Sequence, residues 1–213
     1  MRRFLILAAA SATAAAALSA PARADEKQVR AVQPFTAIDS RGPLSITVEG
    51  GKAQTLTVSG NAEFVSRVAT EVVNGELKIY LKDKGPLTLK GEPRITITMP
   101  TLVKFIGEGA GETILKNING ERLDVSYQGA GSFTASGKVA LLRMRAEGVG
   151  EVNTKGLEAE RADVNFNGLG SVKVTAKDTL NAVVNGMGSL NYYGKPRTVN
   201  KTVNGIGSVN AGD

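Results

Sequence analysis

Leu123-Asp124-Val125-Ser126-Tyr127-Gln128-Gly129-Ala130-Gly131-Ser132-Phe133 is the stretch from which the fold is read. Leu123, Val125 and Tyr127 alternate with Asp124, Ser126 and Gln128, the period of two expected of a strand with one buried face. A Gly-Ala-Gly corner follows, and Phe133 then starts a second short strand. The corner recurs as Gly109-Ala110-Gly111, Gly129-Ala130-Gly131, Gly148-Val149-Gly150, Gly168-Leu169-Gly170, Gly186-Met187-Gly188 and Gly205-Ile206-Gly207. Subtracting successive first glycines gives spacings of 20, 19, 20, 18 and 19 residues, a period that marks stacked repeats.

Each repeat carries the same alternation before its corner: Leu142, Met144, Ala146; Ala162, Val164, Phe166; Leu180, Ala182, Val184. The residues between them are mostly polar and are expected to face water. The apolar residue inside each glycine pair is expected to point inward at a sharp bend that only glycine tolerates. Two short strands per repeat, closed by a polar loop, fit one flattened turn of a parallel β-helix, with like residues above like. On that reading Asn167, Asn185 and Asn204 form an asparagine ladder.

Residues 1–24 read as an export signal: Arg2 and Arg3, an apolar run from Phe4, then Pro21-Ala22-Arg23-Ala24 with cleavage expected after Ala24. The full chain has 26 Lys and Arg against 20 Asp and Glu; loss of Arg2, Arg3 and Arg23 leaves 23 against 20, or +3. That balance is too mild for nucleic acid, and the cations are not clustered as a nucleic-acid stripe would be. Cysteine and a second long apolar segment are both absent, so no disulfide and no membrane span are expected. The expected compartment is the periplasm, with the cell surface or medium as the alternative.

Residues 25–33 read as a flexible polar segment, and 34–213 as one domain, with 34–100 less regular than 101–213. Its opening strands include Phe35–Ile38, Leu44–Val48, Leu56–Val58, Val68–Val73, Leu77–Leu81 and Arg94–Met99. Asn61 to Ser66 is expected to make a helical turn, and Asn74-Gly75 a tight hairpin or corner.

The combination of Phe35-x-x-Ile38, Leu44-x-Ile46-x-Val48, Asn74-Gly75-x-Leu77-x-Ile79 and repeated Gly-x-Gly-Ser/Glu corners resembles the bacterial GIN-domain family, the autotransporter adhesin head domains. The resemblance runs from about Phe35 to Val209. It implies an all-β, single-stranded, right-handed parallel β-helix, a solenoid with coils of about 18–20 residues, and no established catalytic residues.

Histidine is absent along with cysteine, which removes Ser-His-Asp and Cys-His nucleophiles and the usual zinc sites. No corner extends to a dinucleotide or phosphate loop. No cofactor, metal or catalytic residue is therefore expected. The chain reads as an exported binding or structural module of the cell envelope, adhesin-like, recognising polysaccharide or protein through a flat polar face. That face comprises Asp124, Ser126, Arg143, Arg145, Asp163, Asn165 and Asn181. Two alternatives remain at this point. One is a polysaccharide lyase or hydrolase using carboxylates and arginine on the same face. The other is a structural protein forming a homodimer through an exposed C-terminal coil.

Overall fold

The computed structural model describes residues 26–83, 85 and 91–212, so the expected export signal and its cleavage site lie outside the described residues. The strands are β1 (Glu26–Val29), β2 (Ala37–Arg41), β3 (Ile46–Gly50), β4 (Thr55–Gly60), β5 (Val68–Val73), β6 (Glu76–Leu81), β7 (Arg94–Met99), β8 (Lys104–Tyr193), β9 (Thr198–Gly205) and β10 (Ser208–Ala211). One short helix, α1 (Ala62–Arg67), lies between β4 and β5. It starts where the side chain of Asn61 accepts a hydrogen bond from the Phe64 N–H at 2.8 Å, and it buries Phe64 and Val65.

All ten strands join one mixed sheet in the order β1-β4-β7-β3-β8-β2-β6-β5, with β9 and β10 both paired to β8. The sheet corrects the expectation of a single-stranded, all-parallel, right-handed β-helix. β1 pairs with β4, β4 with β7 and β5 with β6 antiparallel, and the hydrogen-bonded order is an open path ending at β1 and β5. The cause is local. Asn74 and Gly75 both take positive φ, 52° and 74°, which turns the chain back on itself as a two-residue hairpin. Residues 26–99 contain no Gly-x-Gly corner to redirect a strand sideways. The segment read as flexible also contributes: Glu26–Val29 pairs in register with Thr57–Gly60 as β1.

From Lys104 onward extended backbone runs without a break for 90 residues, through five glycine corners. A strand of that length must fold back on itself, and its passes lie 18 to 20 residues apart: Asn181 bonds Asp163, the Lys138 N–H bonds the Asn119 side chain, and Thr175 bonds the Lys155 carbonyl. β9 continues the offset, with Leu180 against Val199 and Asn185 against Asn204, in parallel.

The glycines owe their places to this close approach. A Cβ on Gly129 would come inside the 3.0 Å that side chains respect, against the Gly109 carbonyl oxygen; on Gly148 it would meet Gly129, and on Gly168, Gly148. The strand alternation does not break at the corner, and glycine simply occupies its inward phase. The middle residue therefore keeps the outward phase, contrary to the sequence expectation: Val149, Leu169, Met187 and Ile206 are 42% to 81% exposed. They stand as an apolar ridge along the stacked corners.

Inward positions before and after the corners form the core, among them Leu123, Val125, Phe133, Leu142, Met144, Val152, Val164, Phe166, Val172 and Leu190. At the last pass the inward phase holds a charge. Lys201 lies in register with buried Ala182, and its ammonium donates to the Val209 carbonyl at 3.2 Å. Among the described residues β9 pairs only with β8, and a charged side chain on such an outer strand opposes pairing with another chain. Lys201→Leu is accordingly expected to raise the light-scattering mass with concentration relative to the parent protein; an unchanged mass would show that Lys201 has no such role.

Candidate binding groove

The polar residues that precede the corners stand in columns across successive passes of β8. Each column is built by the same physics: parallel pairing places like phases side by side, about 4.8 Å apart. One column runs through Lys104, Asp124, Arg143, Asp163 and Asn181, and reaches Asn200 on β9. Asp163 sits at its centre, accepting a hydrogen bond from Asn181 at 2.6 Å and lying 3.4 Å from Arg161 Nε and 3.9 Å from Arg143 Nε. Asn200 in turn donates to Asn181 at 2.9 Å. At the other end Lys104 reaches across small Ala37 to Glu76, 2.9 Å away.

A neighbouring column carries Ile106, Ser126, Arg145, Asn165 and Val183. Between the two columns lies an open groove of about 500 Å³. All seven residues selected from the sequence line it. It also holds Lys104, Ile106, Arg122 and Val183, which that selection omitted. Arg122 was legible in principle, because arginine stands one step ahead of the first apolar position in two repeats, as Arg122 and Arg161.

Charge is arranged by height. The cationic side chains of Lys104, Arg122, Arg143, Arg145 and Arg161 are 45% to 63% exposed, whereas their carboxylate partners Glu76, Asp124, Glu147 and Asp163 are 22% to 33% exposed. The carboxylates therefore act as anchors beneath cations that reach outward. Arg122 lies 2.6 Å from Asp124, and the hydrogen bond between them holds the guanidinium above its ordinary pKa. Hydrogen bonding from Arg145 holds the Glu147 carboxyl below its ordinary 4.5. The stabilisation from that pair is present above the ordinary value and lost only as pH falls through the lower folded one, so the pair is intact at neutral pH. On the groove wall, the side-chain amide oxygen Oδ1 of Asn165 is buried and has no partner among the described residues.

Residues 34–196 match a family described as "Putative auto-transporter adhesin, head GIN domain". The chain belongs to the GIN-domain family. Among solved structures, the GIN domain described here resembles a putative adhesin from Bacteroides fragilis NCTC 9343 at 21% identity and a TM-score of 0.72, covering 90% of this chain and 98% of the other. A putative adhesin from Parabacteroides merdae ATCC 43184 matches at 17% identity and a TM-score of 0.51, with 89% and 96% covered. At these identities the likeness is one of fold. No curated protein matches the chain.

The third column of this GIN domain, immediately before the corners, is an amide ladder. Asn185 donates to Asn167, and Asn204 donates to Asn185 at 2.9 Å. Asn167 also reaches Glu147. Asn185→Ala removes a donor and an acceptor at once and is expected to cost about 1–2 kcal/mol, read as a lower denaturant midpoint with unchanged slope. A midpoint equal to the parent's would mean the ladder contributes nothing.

Among the described residues no three acidic side chains gather as a metal cage would need, and no helix is long and apolar enough to cross a membrane.

Proposed function

We propose that this GIN domain, taken as one unit over 34–213, is a non-enzymatic, adhesin-like binding module of the exported cell envelope that holds a polysaccharide along the groove of β8. The observation that carries this reading is convergence: seven polar residues drawn from four passes line one open groove. An open groove crossing successive strands suits an extended chain better than a compact ligand. The family's naming for adhesin heads supports a binding role, and export to the periplasm or surface goes with it.

A glycan array probed with the purified protein and with Ser126→Trp tests the reading. Ser126 faces outward and half-buried in the groove, so the indole fills the groove without changing charge. Glycan signals on the parent that fall at least tenfold in the variant are expected. Equal signals from both proteins would place recognition elsewhere, and a blank array would remove the polysaccharide reading. Incubation with acidic polysaccharide is expected to give no unsaturated product by ultraviolet absorbance; a rise abolished by Arg143→Ala would make the protein a lyase.

A further inference from the structure

We infer that the groove takes a linear acidic polysaccharide whose carboxylates recur about once per disaccharide, read by cations that recur at every second pass of β8 within one column. This inference rests on the polysaccharide reading above and narrows its ligand. The sign of the ligand follows from the exposure of the charges: the groove is lined by four cations, Lys104, Arg122, Arg143 and Arg145, each more exposed than the carboxylate it pairs with, and by only two carboxylates, Asp124 and Asp163. Guanidinium pairs with carboxylate through two parallel hydrogen bonds, and a side chain already oriented by an anchor loses less freedom in doing so.

The spacing follows from the repeat. Lys104 and Arg143 are 39 residues apart, as are Arg122 and Arg161, which is two repeats in each case. Two strand spacings put successive cations of a column about 9.6 Å apart. The intervening places hold Asp124 in one column and Leu141 in the other, so the cations do not form a continuous line. Two pyranose rings span a comparable length. A polymer lying along the Lys104–Arg143 column and bearing a charge on every second sugar therefore meets a cation at each charge and Asp124 between them, where its hydroxyls can donate to the carboxylate.

The remaining contacts suit sugar as well. Ile106, Val183 and the arginine stems line the groove and offer carbon surface to the C–H faces of pyranose rings. Beyond Asp163 the column continues as Asn181 and Asn200, amides that both donate and accept, as hydroxyl recognition requires. Nucleic acid finds no stacking surface here, because the rings of Phe105, Tyr127 and Phe166 on these passes all point into the core.

Hyaluronate, which carries one carboxylate per disaccharide, is the probe, set against carboxyl-reduced hyaluronate and polyglutamate in titration calorimetry with the purified protein. Hyaluronate is expected to bind at least tenfold more tightly than the reduced polymer and than polyglutamate. Arg143→Gln, with an unchanged circular dichroism spectrum, is expected to weaken it by about tenfold, the loss of one charge-assisted contact. Binding should also fall as salt rises. Equal binding of the reduced polymer overturns the inference while leaving the polysaccharide reading in place, provided Ser126→Trp abolishes it. Polyglutamate binding as tightly as hyaluronate overturns it in favour of an acidic polypeptide partner. Absence of hyaluronate binding with a neutral glycan captured on the array overturns it too; absence of both removes the parent reading.

Discussion

Gly129→Ala is expected to destabilise the protein by about 3 kcal/mol or more, because its added methyl would meet the closest obstruction of any glycine among the described residues. Gly129 adopts φ +146°, which side chains rarely enter, and its missing Cβ is replaced in space by the Gly109 carbonyl of the preceding pass. Neither problem has a cheap escape. The obstructing atom is backbone, and it is fixed on its other side by the pass before it, since a Cβ on Gly109 would likewise fall inside 3.0 Å of the Gly42 carbonyl oxygen. Relief would require separating two hydrogen-bonded passes. Gly120→Ala is the matched control: its nearest neighbour would be the Thr101 methyl at 3.8 Å, and its φ is not in the positive range. Urea denaturation should place Gly129→Ala far below the parent and Gly120→Ala within about 0.5 kcal/mol of it. Similar midpoints for the two variants would mean that the corners are not packed against each other.

Phe133→Ala is the second large effect, expected to cost about 3–5 kcal/mol. Phe133 is fully buried as the first inward residue after a corner, and its ring lies 5.9 Å from Phe105 and 5.5 Å from Tyr127 between centroids. This is a narrow place in which three rings meet, so truncation leaves a cavity that backbone on both sides prevents from closing. The Tyr127 hydroxyl, buried and without a partner among the described residues, already has its ionisation pushed upward by burial. Phe133→Leu should recover more than half of the loss, because most of the apolar volume returns. Equal costs for Ala and Leu would point to ring geometry rather than to volume.

Much of this architecture is written in local pattern. The alternation around Tyr127 gives the inward and outward phases, and the glycine period gives the offset between passes. Asn74-Gly75 gives the β5–β6 hairpin, and Asn61 the start of α1. The column was legible for the same reason, since a known phase and a known offset put Asp124, Arg143 and Asp163 side by side, whereas the groove was not, because the face was expected to be flat. Strand direction was not legible. Leu56-Thr57-Val58 alternates identically whether its neighbour runs with it or against it, and its antiparallel pairing to β7 and β1 is decided by tertiary packing. Met187 and Ile206 are exposed although an apolar residue between glycines suggests burial, because the alternation continues through the corner and gives the glycines the inward phase. Lys201 was invisible to pattern reading, because a lysine at an inward phase is explained only by the Val209 carbonyl that its ammonium reaches.

The central claim is that successive passes stand in register, so that their outward residues form continuous columns. The absence of cysteine allows a clean cross-linking test. Asn185 and Asn204 are register partners whose amides already touch, and parallel partners about 4.8 Å apart lie within disulfide reach. Asn185→Cys with Asn204→Cys is predicted to oxidise to an intramolecular disulfide, quantified by mass spectrometry, while Asn185→Cys with Asn200→Cys, a partner of Asn181 instead, stays reduced. A first pair that stays reduced, or two pairs that oxidise equally, would contradict the columns and the groove built from them.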